Sequence, residues 1–133
     1  MRNAFSDIHF HIDLPEVDLP KSFSILTAYN PLQKQLSEDE NRAVNQALFE
    51  ELFNLPQIFK VVLGDGASMR NSVPGFGCGA RLHTMCNLAE RWDQFGLYLV
   101  DGDKLSIVPC NTDSEEVIIP DGFRKRIIKS NFS

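Results

Sequence analysis

The sequence predicts an α+β fold: an antiparallel sheet with two helices on one face, in a ferredoxin-like (split βαβ) arrangement, plus an extra N-terminal strand. Three observations carry this. Residues 7–14, DIHFHIDL, alternate strictly between apolar and polar. Two stretches place apolar residues at helical spacing. From residue 23 the order reads strand, helix, strand, weak strand, helix, strand, strand. The alternative arrangement is a less regular sandwich in which the N-terminal strand adds a second layer.

In residues 7–14, Ile8, Phe10, Ile12 and Leu14 point one way and Asp7, His9, His11 and Asp13 the other, as on a half-buried strand. Pro15 and Pro20 bracket a linker, and FSILTAYNP (23–31) opens as a second strand. Ser37 and Glu40 form a capping box, and Glu38, Asp39 and Glu40 suit the positive end of a helix dipole. Val44, Leu48, Leu52 and Leu55 then make an apolar stripe, so a helix is expected over about 38–54. FKVVLGDG reads as a strand ending in a turn, with a short weak strand near 72–76. ARLHTMCNLAERWDQF supplies the second helix through Leu82, Met85, Ala89 and Trp92. GLYLVDGDKLSIVPC is a hairpin turning at Asp101-Gly102, and EVIIP adds an edge strand.

The 133 residues suit a single domain, 1–133, with its core at about 23–109, the strand at 7–14 before it and a basic tail, 121–133, after it. Hydrophobic residues at 43% and charged residues at 23% describe an ordinary globular protein. No apolar run reaches the ~20 residues of a membrane span, and MRNAFSDIHFH lacks an apolar leader segment, so a cytoplasmic protein with no membrane partner is expected. A net charge of -5 argues against general nucleic-acid binding. The cluster in FRKRIIK (Arg124, Lys125, Arg126, Lys129) reads as a solvated tail. Three cysteines, Cys78, Cys86 and Cys110, without CxxC spacing argue against a disulfide framework or a cysteine-built metal site.

Several of these residues carry a resemblance. Thr27-Ala28-Tyr29-Asn30-Pro31, Ser37 and Asn41 at the first helix start, and Gln94 closing the second resemble a widespread bacterial family known as a domain of unknown function. The resemblance spans about residues 23–109 and implies the fold while bringing no catalytic residues. The glycine-rich GDGASMRNSVPGFGCGA departs from it, standing where a more ordinary strand is expected.

Four features invite a chemical reading, each beside a structural one. Thr27, Tyr29 and Asn30 end a strand next to a helix start and could hold a small polar ligand; equally, Asn before Pro builds a turn and its neighbours bond the loop. Gly75, Gly77 and Gly79 precede a helix and could turn N–H groups to an anion, aided by Arg70 and Arg81; equally, alternating glycines mark close backbone approach. His9, His11 and Asp13 share a strand face, with His83 as a remote third imidazole, yet polar residues belong on a wet face, and no metal or cofactor is expected. Cys86 and His83 share a helix face, but Cys86 reads as an inert core thiol and no catalytic motif accompanies it. The expected function is a non-catalytic binding domain for a small anionic or nucleotide-like ligand, held by Thr27, Tyr29, Asn30, Arg70, Gly77, Gly79 and Arg81. The alternative is a protein-interaction module or homodimer using an exposed sheet edge.

Overall fold

Strict alternation produces β1 (Ile8–Ile12), with Ile8, Phe10 and Ile12 buried and His9 and His11 half-exposed. The computed structural model describes residues 7–15, 18–29, 36–110 and 115–128. β2 (Ser22–Leu26), α1 (Glu38–Leu52), β3 (Phe59–Asp65), β4 (Arg70–Cys78), α2 (Leu82–Arg91), β5 (Gly96–Asp101), β6 (Lys104–Pro109), β7 (Val117–Ile119) and β8 (Ile127–Ile128) follow. All eight strands join one sheet in the order β7-β6-β5-β2-β4-β3-β1-β8. Among the described residues only the β1–β8 pair is parallel.

This sheet overturns the ferredoxin-like expectation. It is twice the width of a four-stranded layer, dominates over two short helices, and curls into a half-barrel. β1 is not a second layer either; it pairs with β3 within the same sheet. The curl brings β1 against β5: the rings of Phe10 and Tyr98 meet edge to face at 5.5 Å. Its concave side therefore holds its own core, with Phe10, Phe23, Ile25, Phe59, Val61 and Leu105 among its members. The convex side carries both helices over Leu26, Phe76, Cys78 and Leu97. Right-handed strand twist supplies part of the curvature, and glycines sharpen it where a side chain would obstruct.

β4 shows the mechanism. The expected weak strand at 72–76 is a nine-residue strand that runs through Gly75 and Gly77. Gly77 stands opposite Phe59 in the register. A Cβ on Gly77 would lie 2.2 Å from the Phe59 ring, so the ring occupies the space a side chain would take. Glycine is required here by close approach, which is the structural reading of the alternation.

α1 opens as the sequence dictates: the Ser37 hydroxyl accepts the Glu40 N–H at 3.1 Å, and the Glu40 carboxylate accepts the Ser37 N–H at 3.1 Å. Its buried residues are Asn41, Asn45, Leu48 and Leu52, whereas Val44 is only half-buried. The stripe is thus rotated from the expected one, because two asparagines replace apolar residues on the inward face. Asn45 accepts the Ala28 N–H at 3.3 Å, and Asn41 donates to the Leu36 carbonyl at 3.5 Å.

The C-terminal segment is the other correction. Seven residues, 120–126, lead from β7 on one sheet edge to β8 on the other, so the segment crosses the open side of the half-barrel. Phe123 plugs it, its ring 5.4 Å from Phe10 and 5.6 Å from Phe23. Asp103 accepts the Phe123 and Arg124 N–H groups at 3.1 and 2.7 Å. Arg126, expected in a solvated tail, is buried and donates to the carbonyls of Gly122, Ile8 and Pro120 at 3.1, 3.0 and 2.7 Å. It ties β1 to the chain leaving β7. Cysteine usage also departs from expectation: Cys86 on α2 and Cys110 after β6 form a disulfide, so Cys86 is not a free core thiol, and Cys78 is the buried free one. Among the described residues no helix is long and apolar enough to cross a membrane.

Candidate functional site

The polar run at the end of β2 is tied down by its neighbours. The Thr27 hydroxyl donates to the Pro74 carbonyl at 2.7 Å and accepts the Tyr29 N–H at 3.1 Å. The Tyr29 hydroxyl donates to Glu38 at 3.0 Å, and Gln94 donates to the Tyr29 carbonyl at 3.2 Å. Burial pushes the Tyr29 phenol above its ordinary pKa, and the Glu38 carboxylate adds to the rise. Thr27, Tyr29 and Gln94 thus knit β2, α1 and the end of α2 together. Asn30 lies outside the described residues.

The remaining predicted residues do not converge on Tyr29. Antiparallel pairing sets Ser24 opposite Cys78, so Gly79 and Arg81 follow the strand end that lies beside the start of β2, whereas Thr27 and Tyr29 follow its other end. Gly77 backs onto Phe59 in the concave core. The Gly79 N–H donates to the Pro56 carbonyl at 3.2 Å. Arg81 is the exposed residue before α2, with no side-chain capping bond. Arg70, at the β3–β4 turn, pairs with Asp7 at 3.3 Å. On β1, His9 Nδ1 lies 2.9 Å from the Asp7 carbonyl, and His83 belongs to α2, which packs on β2 and β5. Among the described residues no group of three His, Cys, Asp or Glu side chains is placed to hold a metal.

What the structure does form beside Tyr29 is a groove of about 590 Å³ between α1 and the convex face of β3 and β4. Its floor follows from strand alternation: Val61 points into the concave core, so Lys60 and Val62 point out, opposite Phe76 and Pro74 in the register. Its wall is a helical stripe, Arg42, Gln46 and Phe49, at intervals of four and three. The rings of Phe49 and Phe76 lie 5.3 Å apart and join wall to floor. α1 packs on β4, and the groove lies beside that contact, over the outward side chains of β3.

Two cations border it. Arg42 pairs with Asp39 at 2.9 Å, but both are highly exposed, so the pair holds Arg42 only weakly. Lys60 is exposed and makes no ion pair among the described residues. An apolar floor with cations at its edge receives a molecule that has an apolar body and an anionic end. The sequence carried a signal for this wall: Phe49 falls off the buried Leu48–Leu52 stripe of α1.

A family described as "Protein of unknown function (DUF3293)" matches residues 26–96, more than half of the 133. The match takes in Thr27, Tyr29, both helices and the groove's floor and wall. No curated protein and no solved structure matches the chain.

Proposed function

We propose that this chain, which belongs to the DUF3293 family, is a non-catalytic binding domain for a small amphiphilic anion. The observation that carries this is the groove beside Tyr29, whose volume lies within the ~300–1,000 Å³ of small-molecule sites. The apolar body of the ligand would lie against Phe49, Val62, Pro74 and Phe76, with its anionic end toward Lys60 and Arg42. The described lining offers apolar surface from Phe49, Val62, Pro74 and Phe76 with polar groups from Asn45, Gln46, Lys60 and Arg42 at hand, a composition suited to binding. The overall charge of -5 makes a local cationic pair the natural place for an anion to settle.

The test uses anilinonaphthalene sulfonate, an aromatic body with an anionic end, as the probe, followed by its displacement with decanoate. Lys60→Ala and Arg42→Ala, both at exposed positions, should each weaken probe binding about ten-fold, the scale of one lost charge-assisted hydrogen bond. The loss should shrink as salt rises. Equal affinity in the double variant and the parent would remove the reading.

A second reading, two copies joined through the C-terminal edge, has one observation in its favour. β7 is an edge strand on which Val117 and Ile118 are 48% and 59% exposed. Light scattering at high concentration should then give a dimer that Ile118→Lys dissociates. A strict monomer eliminates it.

A further inference from the structure

We propose that Cys86 and Cys110 are a site of reversible thiol–disulfide exchange that sets how firmly α2 is held on the sheet. Cys86 sits on α2 and Cys110 directly follows β6, with Cα atoms 5.0 Å apart, inside the span a disulfide bridges. Both residues are half-buried, so a small disulfide or thiol can reach them. The third cysteine does not compete. Cys78 is fully buried in the helix-covered core, its thiol donates to the Pro56 carbonyl at 3.4 Å, and burial pushes its pKa up.

The fold has a hydrophobic core independent of the bond on each face of the sheet, unlike the small scaffolds in which disulfides replace a core. The bond closes a loop of sequence separation 24 that includes half of α2 and the β5–β6 hairpin. Its effect is therefore to tether α2 to the end of β6 in an already folded domain.

In the oxidising direction, one cysteine thiolate attacks a low-molecular-weight disulfide and releases one thiol as a mixed disulfide forms. The second cysteine thiolate then attacks the protein sulfur and releases the other thiol. Two protein thiols and one disulfide become one protein disulfide and two small thiols, and excess thiol drives the reverse. α2 also leads into the contacts that support the groove: Trp92 donates to Glu51 on α1 at 2.6 Å, and Gln94 holds Tyr29. A redox effect on probe binding would follow, but that consequence rests on the binding reading above, whereas the tests below do not.

The full chain is equilibrated in oxidised or in reduced glutathione, and free thiols are titrated after denaturation. The expected result is one thiol, that of Cys78, after oxidation and three after reduction. The reduced form should melt about 10 °C lower. Cys86→Ser and Cys110→Ser should each melt near the reduced form in either buffer, while Cys78→Ala should keep the two-buffer difference. Three thiols after oxidation, a single thiol after reduction, or coincident melting of the two forms would each overturn the proposal.

Discussion

Replacing Arg126 with alanine is expected to destabilise the protein by about 3–5 kcal/mol, because the carbonyls of Ile8, Pro120 and Gly122 lose a buried donor together. An orphaned buried acceptor costs about 1–3 kcal/mol, and total stability for a domain is about 5–15 kcal/mol. A loss of this size moves the midpoint of a urea melt far outside error. Arg126→Lys should recover only part of it, since one ammonium cannot match a planar fork that reaches three carbonyls. Arg126→Met separates the two contributions of the side chain: it keeps much of the packed stem and deletes every donor. A change below about 1 kcal/mol in Arg126→Ala would mean the sheet closes without this tie.

Gly77→Ala should cost about 2–3 kcal/mol, the upper part of the range for overpacking a filled core. A new methyl would meet the Phe59 ring at 2.2 Å, and that ring is held edge to face by Phe23 at 5.1 Å. The ring is also buried in the concave core. The diagnostic comparison is the double variant with Phe59→Leu. If the ring is the obstacle, the double variant should be more stable than the sum of the two single losses implies, by about 1 kcal/mol or more. Additive losses would place the strain in the backbone instead.

These two positions show where sequence reasoning reaches its limit. Arg126 sits in FRKRIIK, and nothing in a run of basic residues marks which of them meets a pair of sheet edges brought together by a distant curl. Gly77 sits in GFGCGA, where the alternation signals close approach but gives no partner. The groove was half legible. Tyr29 stood out as a candidate, and the off-stripe Phe49 was available as a signal. Lys60 was not, because its place beside α1 follows from the β3–β4 register.

What the sequence by itself determined is local. β1 comes from strict alternation, the start of α1 from the Ser37–Glu40 box, and the β5–β6 hairpin from Gly102 at φ +65°, although the turn falls one residue later than expected, with Asp101 still in β5 and paired with Lys104. Each rests on contacts within a few residues, so the pattern and the energy lie in the same stretch of chain. The tertiary structure alone decided the width and curl of the sheet, the pairing of Cys86 with Cys110, the burial of Arg126, and the ends of β2 at which Tyr29 and Gly79 lie. Each of those depends on which distant strands become neighbours. Strand pairing is made by backbone groups that every residue carries, so side-chain pattern specifies a strand's faces far better than its partners.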